Sequence, residues 1–282
     1  MDILILVIIG LLAGPLLGGL IAGMDRRVTA WFQSRQGPPI MQPFYDVAKL
    51  FGKEKMVVNQ WQILCAWVYV IAAAISLALF FAQSDLLLIF FVQAVGAVFL
   101  VMGAMAAKSP YSQVGAQREL MQILAYEPVL VMVCVGFYMV TGSFSLGAVW
   151  QQDMPLLAKM PLLYLALGYA LTIKLRKSPF DFSTSHHGHQ ELVKGVLTEY
   201  SGPYLGLIEI AHWYETVLVL GLCALFWHTN VIWMALLLIV TYMLEILVDN
   251  TMARMTWRWM LKRVWLVGMG MCVVNLIWLY AR

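Results

Sequence analysis

QWQILCAWVYVIAAAISLALFFAQ (residues 60–83) and, after Ser84-Asp85, LLLIFFVQAVGAVFLVMGAMAA (86–107) are the two stretches that decide how this chain is read. Each is apolar for more than about 20 residues, the length a helix rising about 1.5 Å per residue needs to cross a hydrocarbon core about 30 Å thick. Neither alternates with period two, as a barrel strand would, and an open strand in lipid would leave its backbone groups without partners. They read as two membrane helices joined by a tight turn.

Six more apolar runs meet the same test, giving spans at 3–24, 60–83, 86–107, 120–142, 156–174, 204–227, 231–251 and 264–281. The fifth is the shortest, with Lys159 and Lys174 bracketing its core and snorkelling to either headgroup layer. The run at 3–24 has no basic residue before it and exceeds a signal-peptide core, so it is expected to stay in the bilayer. Composition agrees: 62% of residues are hydrophobic and 12% charged, against about one quarter charged in soluble domains. The fold class expected is all-α, a single polytopic domain of about eight transmembrane helices over residues 1–282.

The connections alternate between long charged loops and short, nearly uncharged ones. Sixteen of the 18 lysines and arginines fall in the long segments 25–59, 108–119, 174–203 and 252–263, leaving only Lys159 and Arg282 on the other side. The positive-inside rule then places the four long loops in the cytoplasm and both termini outside a cytoplasmic membrane. Charge asymmetry of this kind reports orientation; it gives no ground for a nucleic-acid partner. Cys65, Cys134, Cys223 and Cys272 are far apart and each lies in an apolar stretch, so they read as packing groups and not as ligands of an iron–sulfur cluster. Electron carriers must belong to other chains.

Chemistry is sought first among ionisable residues inside spans, which cost about 2.5–3.5 kcal/mol each to insert. Glu119 and Glu127 lie on the fourth span, Glu209, His212 and Glu215 on the sixth, Glu245 and Asp249 on the seventh. A row of carboxylates with an imidazole suits proton transfer. The alternative is that some are ordinary helix-end residues paired with Arg118, Arg254 or Lys194. In the first long loop, Phe44, Val47, Leu50 and Phe51 fall at helical spacing with Asp46 and Lys49 around them, a helix lying either on the lipid surface or against a partner. The third long loop carries His186, His187, His189 and Glu191, whose spacing matches no zinc motif and reads better as a polar contact surface or proton relay than as a metal site.

Taken jointly, DRRVTAWFQSRQGP (25–38), LMQILAYEP (120–128), SPFDF (178–182), QELVKG (190–195), TEYSG (198–202) and DNTMAR (249–254) resemble the signature of the membrane-anchor family shared by complex I, as NADH dehydrogenase subunit 1, and by membrane-bound nickel–iron hydrogenases. The resemblance implies a foot for a peripheral arm, with buried acids leading toward antiporter-like pumps. It places Asp25 where the family has a glutamate beside the paired arginines Arg26 and Arg27. Glu127 stands at the mid-helix glutamate and Asp181 at the Pro-Phe-Asp aspartate; Glu191 and Glu199 match family positions as well. Quinone-reducing members have an acid-rich stretch after Pro-Phe-Asp where this chain has STSHHGH, and His212 stands near a position where they place a buried glutamate.

The variant therefore resembles the energy-converting, ferredoxin-linked hydrogenase branch. That resemblance implies a proton path through Asp25, Glu119, Glu127, Glu199, Glu209, His212 and Glu215. Docking would fall to Arg26, Arg27, Arg35, Asp46, Lys49, Asp181, His186, His187, His189 and Glu191. It also implies soluble hydrogenase large and small subunits, an iron–sulfur subunit and an antiporter-like membrane subunit as partners, with the nickel–iron centre and iron–sulfur clusters held by them and no cofactor in this chain. The rival expectations are a quinone-site subunit of a complex I-like dehydrogenase, a formate hydrogenlyase subunit and, from another class, a stand-alone secondary transporter. The last should show internal repetition, and none is evident in the sequence.

Overall fold

The computed structural model describes residues 3–56, 59–180 and 194–281. Among them the chain is helical throughout, with no strand beyond one isolated bridge between Asp85 and Ser145. In chain order the helices are α1 (Ile3–Phe32), α2 (Gln42–Phe51), α3 (Gln60–Phe81), α4 (Leu86–Met105), α5 (Pro110–Thr141), α6 (Leu146–Trp150), α7 (Pro161–Lys174), α8 (Gly202–Leu225), α9 (Val231–Thr251), α10 (Trp257–Arg263) and α11 (Gly270–Tyr280). A π-helical turn, Val264–Met269, joins the last two into one continuous helix, Trp257–Tyr280.

Seven of these helices are long and apolar enough to span a membrane. The remaining expected span, the fifth at 156–174, is different. Met160 precedes a proline and takes a non-helical conformation (φ −130°, ψ 49°), so regular helix begins only at Pro161. The 14 residues of α7 reach about 21 Å, short of a full crossing. Its N-terminus is closed instead by a residue from α11: Asn275 Oδ1 accepts from the backbone N–H groups of Leu162 (3.0 Å) and Leu163 (3.1 Å), and its Nδ2 donates to Lys159 O (3.2 Å).

Three other boundaries move outward. Helix α1 runs on to Phe32, the final helix starts at Trp257, and α5 starts at Pro110, ten residues before its apolar run. The early start of α5 has a visible cause, because the last carbonyls of a helix lack intrahelical donors. Ser112 Oγ donates to Ala104 O (3.0 Å) and Gln113 Nε2 to Ala107 O (3.2 Å), so the polar first turns of α5 finish the end of α4.

The chain divides into two compact units. The first comprises Met1–Ala78, Phe91–Met121 and Phe182–Val217; the second comprises Leu79–Phe90, Gln122–Asp181 and Leu218–Arg282. In the first, the buried face of α1 is Gly10, Gly14, Gly18, Gly19, Gly23 and Ala30, a run of small residues about four apart that lets backbones approach. A Cβ on Gly18 would lie 2.5 Å from the Trp213 carbonyl oxygen of α8, and one on Gly19 would meet the Phe44 ring of α2 at the same distance. In the second, α7 packs on α11, and Phe137, Tyr164 and Phe226 stack edge-on in the core. The outward faces of α1 and α9 are apolar and exposed, as lipid contact requires.

Both units contain a membrane helix interrupted by proline, and both treat it alike. Proline has no N–H for the carbonyl four residues earlier. Pro15 in α1 thus frees Leu11 O, which accepts from Tyr214 Oη (2.9 Å); Pro128 in α5 frees Leu124 O, which accepts from Trp265 Nε1 (3.3 Å). Tyr214→Phe should therefore lower stability in detergent by about 1 kcal/mol, within the range of interhelical hydrogen bonds in membranes. Restoring the missing donor with Pro15→Ala should make the same substitution nearly neutral. Equal losses in both backgrounds, measured as a thermal-denaturation double-mutant cycle, would show that the phenol does not answer the proline.

Candidate proton-relay site

The first unit carries a polar stripe on an otherwise apolar helix. On α3 the buried residues Gln62, Cys65, Tyr69 and Ser76 recur at near-helical spacing and so share a face. Tyr69 is 2% exposed and meets α8, where His212 and Glu215 stand one turn apart. Its Oη lies 2.8 Å from His212 Nδ1 and 2.9 Å from Glu215 Oε2, while the imidazole and carboxylate are 3.6 Å apart.

The protons in this group follow from counting. A phenol has one hydrogen, and Tyr69 donates it to the carboxylate of Glu215, so its oxygen accepts from His212 Nδ1–H. The neutral imidazole then carries its free lone pair on Nε2, which is buried with no hydrogen-bond partner among the described residues. Leaving such an atom unsatisfied costs about 1–3 kcal/mol, a cost that calls for a functional reason. The arrangement is one that can carry a proton: one taken up at Nε2 would allow Nδ1–H to pass to the phenol oxygen while the phenol proton passes to Glu215. Each bond broken is replaced by one formed, and the imidazole returns to neutral.

Toward the other end of the same α3 face lies a small, partly open cleft lined by Met56, Asn59, Gln62, Ile63, Glu199, Tyr200, Ser201 and Tyr204. Two side chains that line it, Gln62 and Tyr200, are 4% exposed, and Gln62 Nε2 and Tyr200 Oη have no partner among the described residues. Burial pushes the Tyr200 phenol above its ordinary value, with Cys65 adding to the rise, so it stays an O–H donor. Gln62 precedes Tyr69 by two helical turns, about 10 Å. Gln93 on α4 is a further buried amide whose Nε2 is unpartnered among the described residues, one turn before Gly96, which packs against Tyr69.

Of the residues expected on a proton path, His212 and Glu215 are brought together and Glu199 lines the cleft. Glu209, ahead of Glu215 on α8, is half-buried. Glu119 is buried in α5, and Asp25 is half-buried in α1. Glu127 belongs to the second unit, half-buried beside Tyr126, whose ring lies 4.7 Å from Lys174 Nζ. Also in that unit, Glu245 is buried, and Asp249 acts as a helix-end acceptor for the Ser178 N–H at 2.8 Å.

The expected docking residues divide similarly. Arg26 pairs with Asp46 at 3.0 Å, joining α1 to α2, so this pair braces the chain against itself. Helix α2 lays Phe44 on Trp213 (5.1 Å between centroids) and buries Val47. Arg27, Arg35 and Lys49 are exposed. Asp181, His186, His187, His189 and Glu191 lie outside the described residues. The four cysteines are buried and unpaired. Tyr69, Gln62, Gln93 and Tyr200 escape a search for charges, since none is ionised; for the α3 residues the signal was their recurrence on one face of an apolar helix.

Known proteins share this arrangement of helices. The profile of the NADH dehydrogenase family matches residues 3–280. The chain belongs to that family. Hydrogenase-4 component C of Escherichia coli is 31% identical over 67% of the chain and 64% of its own length. The NADH-quinone oxidoreductase H subunit of Dehalococcoides mccartyi strain CBDB1 is 27% identical over 70% and 60%. The match thus spans under two thirds of these two relatives, whereas that to the equivalent protein of Syntrophotalea carbinolica, 26% identical, covers 98% of the chain and 94% of that protein. Among solved structures, a chain of the membrane-bound sulfane sulfur reductase, an archaeal respiratory membrane complex, shares the fold with a TM-score of 0.86 over 99% of this chain at 22% identity. The family and the helices make this a multi-pass membrane protein.

The relay predicts a definite tautomer. Nitrogen-15 NMR of histidine-labelled protein, with His212 assigned by His212→Gln, should show a neutral ring protonated at Nδ1, and Tyr69→Phe should shift that ring toward the Nε2–H form. A wild-type ring protonated at Nε2 would reverse the donor order and remove the proposed direction of transfer.

Proposed function

We propose that this chain is the membrane anchor and proton-path subunit of a membrane-bound, ferredoxin-linked nickel–iron hydrogenase complex that couples hydrogen metabolism to ion translocation. The observation that carries the reading is the His212–Tyr69–Glu215 relay, a buried path suited to protons in a chain whose cysteines are dispersed packing groups. Likeness to hydrogenase-4 component C supports the hydrogenase branch, as does the STSHHGH sequence where quinone-reducing members are acidic. On this reading the nickel–iron centre and clusters sit in soluble large, small and iron–sulfur subunits. Those subunits rest on the cytoplasmic loops, around the exposed Arg27, Arg35 and Lys49 and the segment with His186, His187 and His189. An antiporter-like subunit lies alongside in the membrane, and both termini face outward.

A second reading has its own support. Several relatives are NADH-quinone oxidoreductase subunits, and the buried Gln62 and Tyr200 donors in the cleft offer two hydrogen bonds to a carbonyl-bearing ligand. Purification of the tagged chain from its native membrane in mild detergent separates the two. Co-purifying nickel and iron–sulfur subunits with ferredoxin-linked hydrogen evolution is the expected result. Quinone reduction without nickel would transfer the assignment to the dehydrogenase, and a chain isolated alone would contradict both.

A further inference from the structure

The relay leaves unused the most basic stretch of the described chain, which joins the last two spans. From Thr251 to Arg282 the sequence contains no Asp or Glu, yet it holds Arg254, Arg258, Lys262 and Arg263 within ten residues, all exposed. Trp257 and Trp259 are interleaved with them and exposed at 37% and 54%. The charges are held to the indoles: the Arg258 guanidinium lies 5.3 Å from the Trp257 ring centroid and Lys262 Nζ 5.4 Å from that of Trp259. Since α9 ends at Thr251 and the spanning helix starts at Trp257, this cluster stands at headgroup depth.

Further along the same helix the surface takes on the profile of an amphiphile. Beyond the cations comes Trp265, 53% exposed, and then an apolar strip of Leu266, Val267, Val273, Val274 and Ile277, each at least 40% exposed. The π-turn at Val264–Met269 widens the backbone, and a Cβ placed on Gly270 would have nothing within 4 Å, so the surface there is open. Cations, indoles and open apolar surface succeed one another over about 30 Å of helix, in the order phosphate, ester and acyl chain of a phospholipid.

We propose that Arg258, Lys262 and Arg263, with Trp257 and Trp259, form a binding site for an anionic phospholipid whose acyl chain lies along Leu266–Ile277. The net negative headgroup is selected because Arg258, Lys262 and Arg263 have no ion pair among the described residues, and a zwitterionic headgroup would leave them uncompensated. The continuity of the cluster with the exposed apolar strip marks the occupant as a lipid, not a soluble protein.

The test reconstitutes the full chain in vesicles of mixed phosphatidylcholine and phosphatidylglycerol, one or the other brominated high on an acyl chain, and reads tryptophan quenching. The difference between wild type and Trp257→Phe/Trp259→Phe isolates the two indoles. Brominated phosphatidylglycerol should quench that component several-fold more than its equimolar zwitterionic counterpart, since each cation near an anionic surface is worth roughly fivefold in partition. High salt should reduce the preference. The variant Arg258→Gln/Lys262→Gln/Arg263→Gln should retain quenching but lose selectivity, and Arg258→Lys/Arg263→Lys, which keeps the charges, should preserve it. Equal quenching of wild type by both lipids would overturn the proposal, as would loss of selectivity in the lysine variant. Absence of quenching by either lipid would show the surface to be covered by protein, which also overturns it.

Discussion

Lipid offers a backbone no hydrogen bond, and most of the distinctive features of this molecule are consequences of that single fact. Helices are the direct response. The less regular features are responses as well: Asn275 closing the buried start of α7, Ser112 and Gln113 finishing α4, Tyr214 and Trp265 answering the carbonyls that Pro15 and Pro128 release. Each is a polar atom placed at a backbone group that would otherwise cost about 1–3 kcal/mol in isolation. Polar side chains inside such a protein are therefore first of all structural, and only those left over after this accounting point to function.

The remainder is informative. Of the five such atoms among the described residues, His212 Nε2, Gln62 Nε2, Gln93 Nε2 and Tyr200 Oη belong to the first unit, on or beside the α3 face that also carries Tyr69, and the fifth, Glu245 Oε2, belongs to the second. Glu215 accepts from a phenol and stands beside an imidazole, and both of those groups can pass a proton on. A guanidinium in place of Tyr69 would hold the carboxylate in one state. A Tyr–His–Glu group can exchange protons along its length.

Hydrophobic run length carried most of the fold, because seven of eight expected spans satisfy the one requirement lipid imposes, and the resemblance to the family was visible in six short motifs. Helix ends were less legible. Length counts apolar residues, whereas the start of α5 depends on Ser112 and Gln113 reaching carbonyls of α4, and the shortness of α7 depends on Pro161 and on Asn275, 113 residues further on for Leu162. At the site, His212 and Glu215 were found because an ionisable group is conspicuous inside a span. Tyr69, which joins them, is neutral and lies 143 residues from His212, so only the packing of α3 on α8 reveals it. Glu209, equally conspicuous in sequence, is half-buried on the same helix as the pair.

On the proposed function, protons move through Tyr69 while electrons move in partner subunits. This claim is tested most directly by reconstituting the purified complex in liposomes and measuring proton translocation and hydrogen evolution together, for wild type and Tyr69→Phe. The variant is expected to evolve hydrogen at a near-normal rate when an uncoupler is present but to translocate several-fold fewer protons per hydrogen when it is absent. An unchanged proton-to-hydrogen ratio in a folded, assembled Tyr69→Phe complex would contradict the claim.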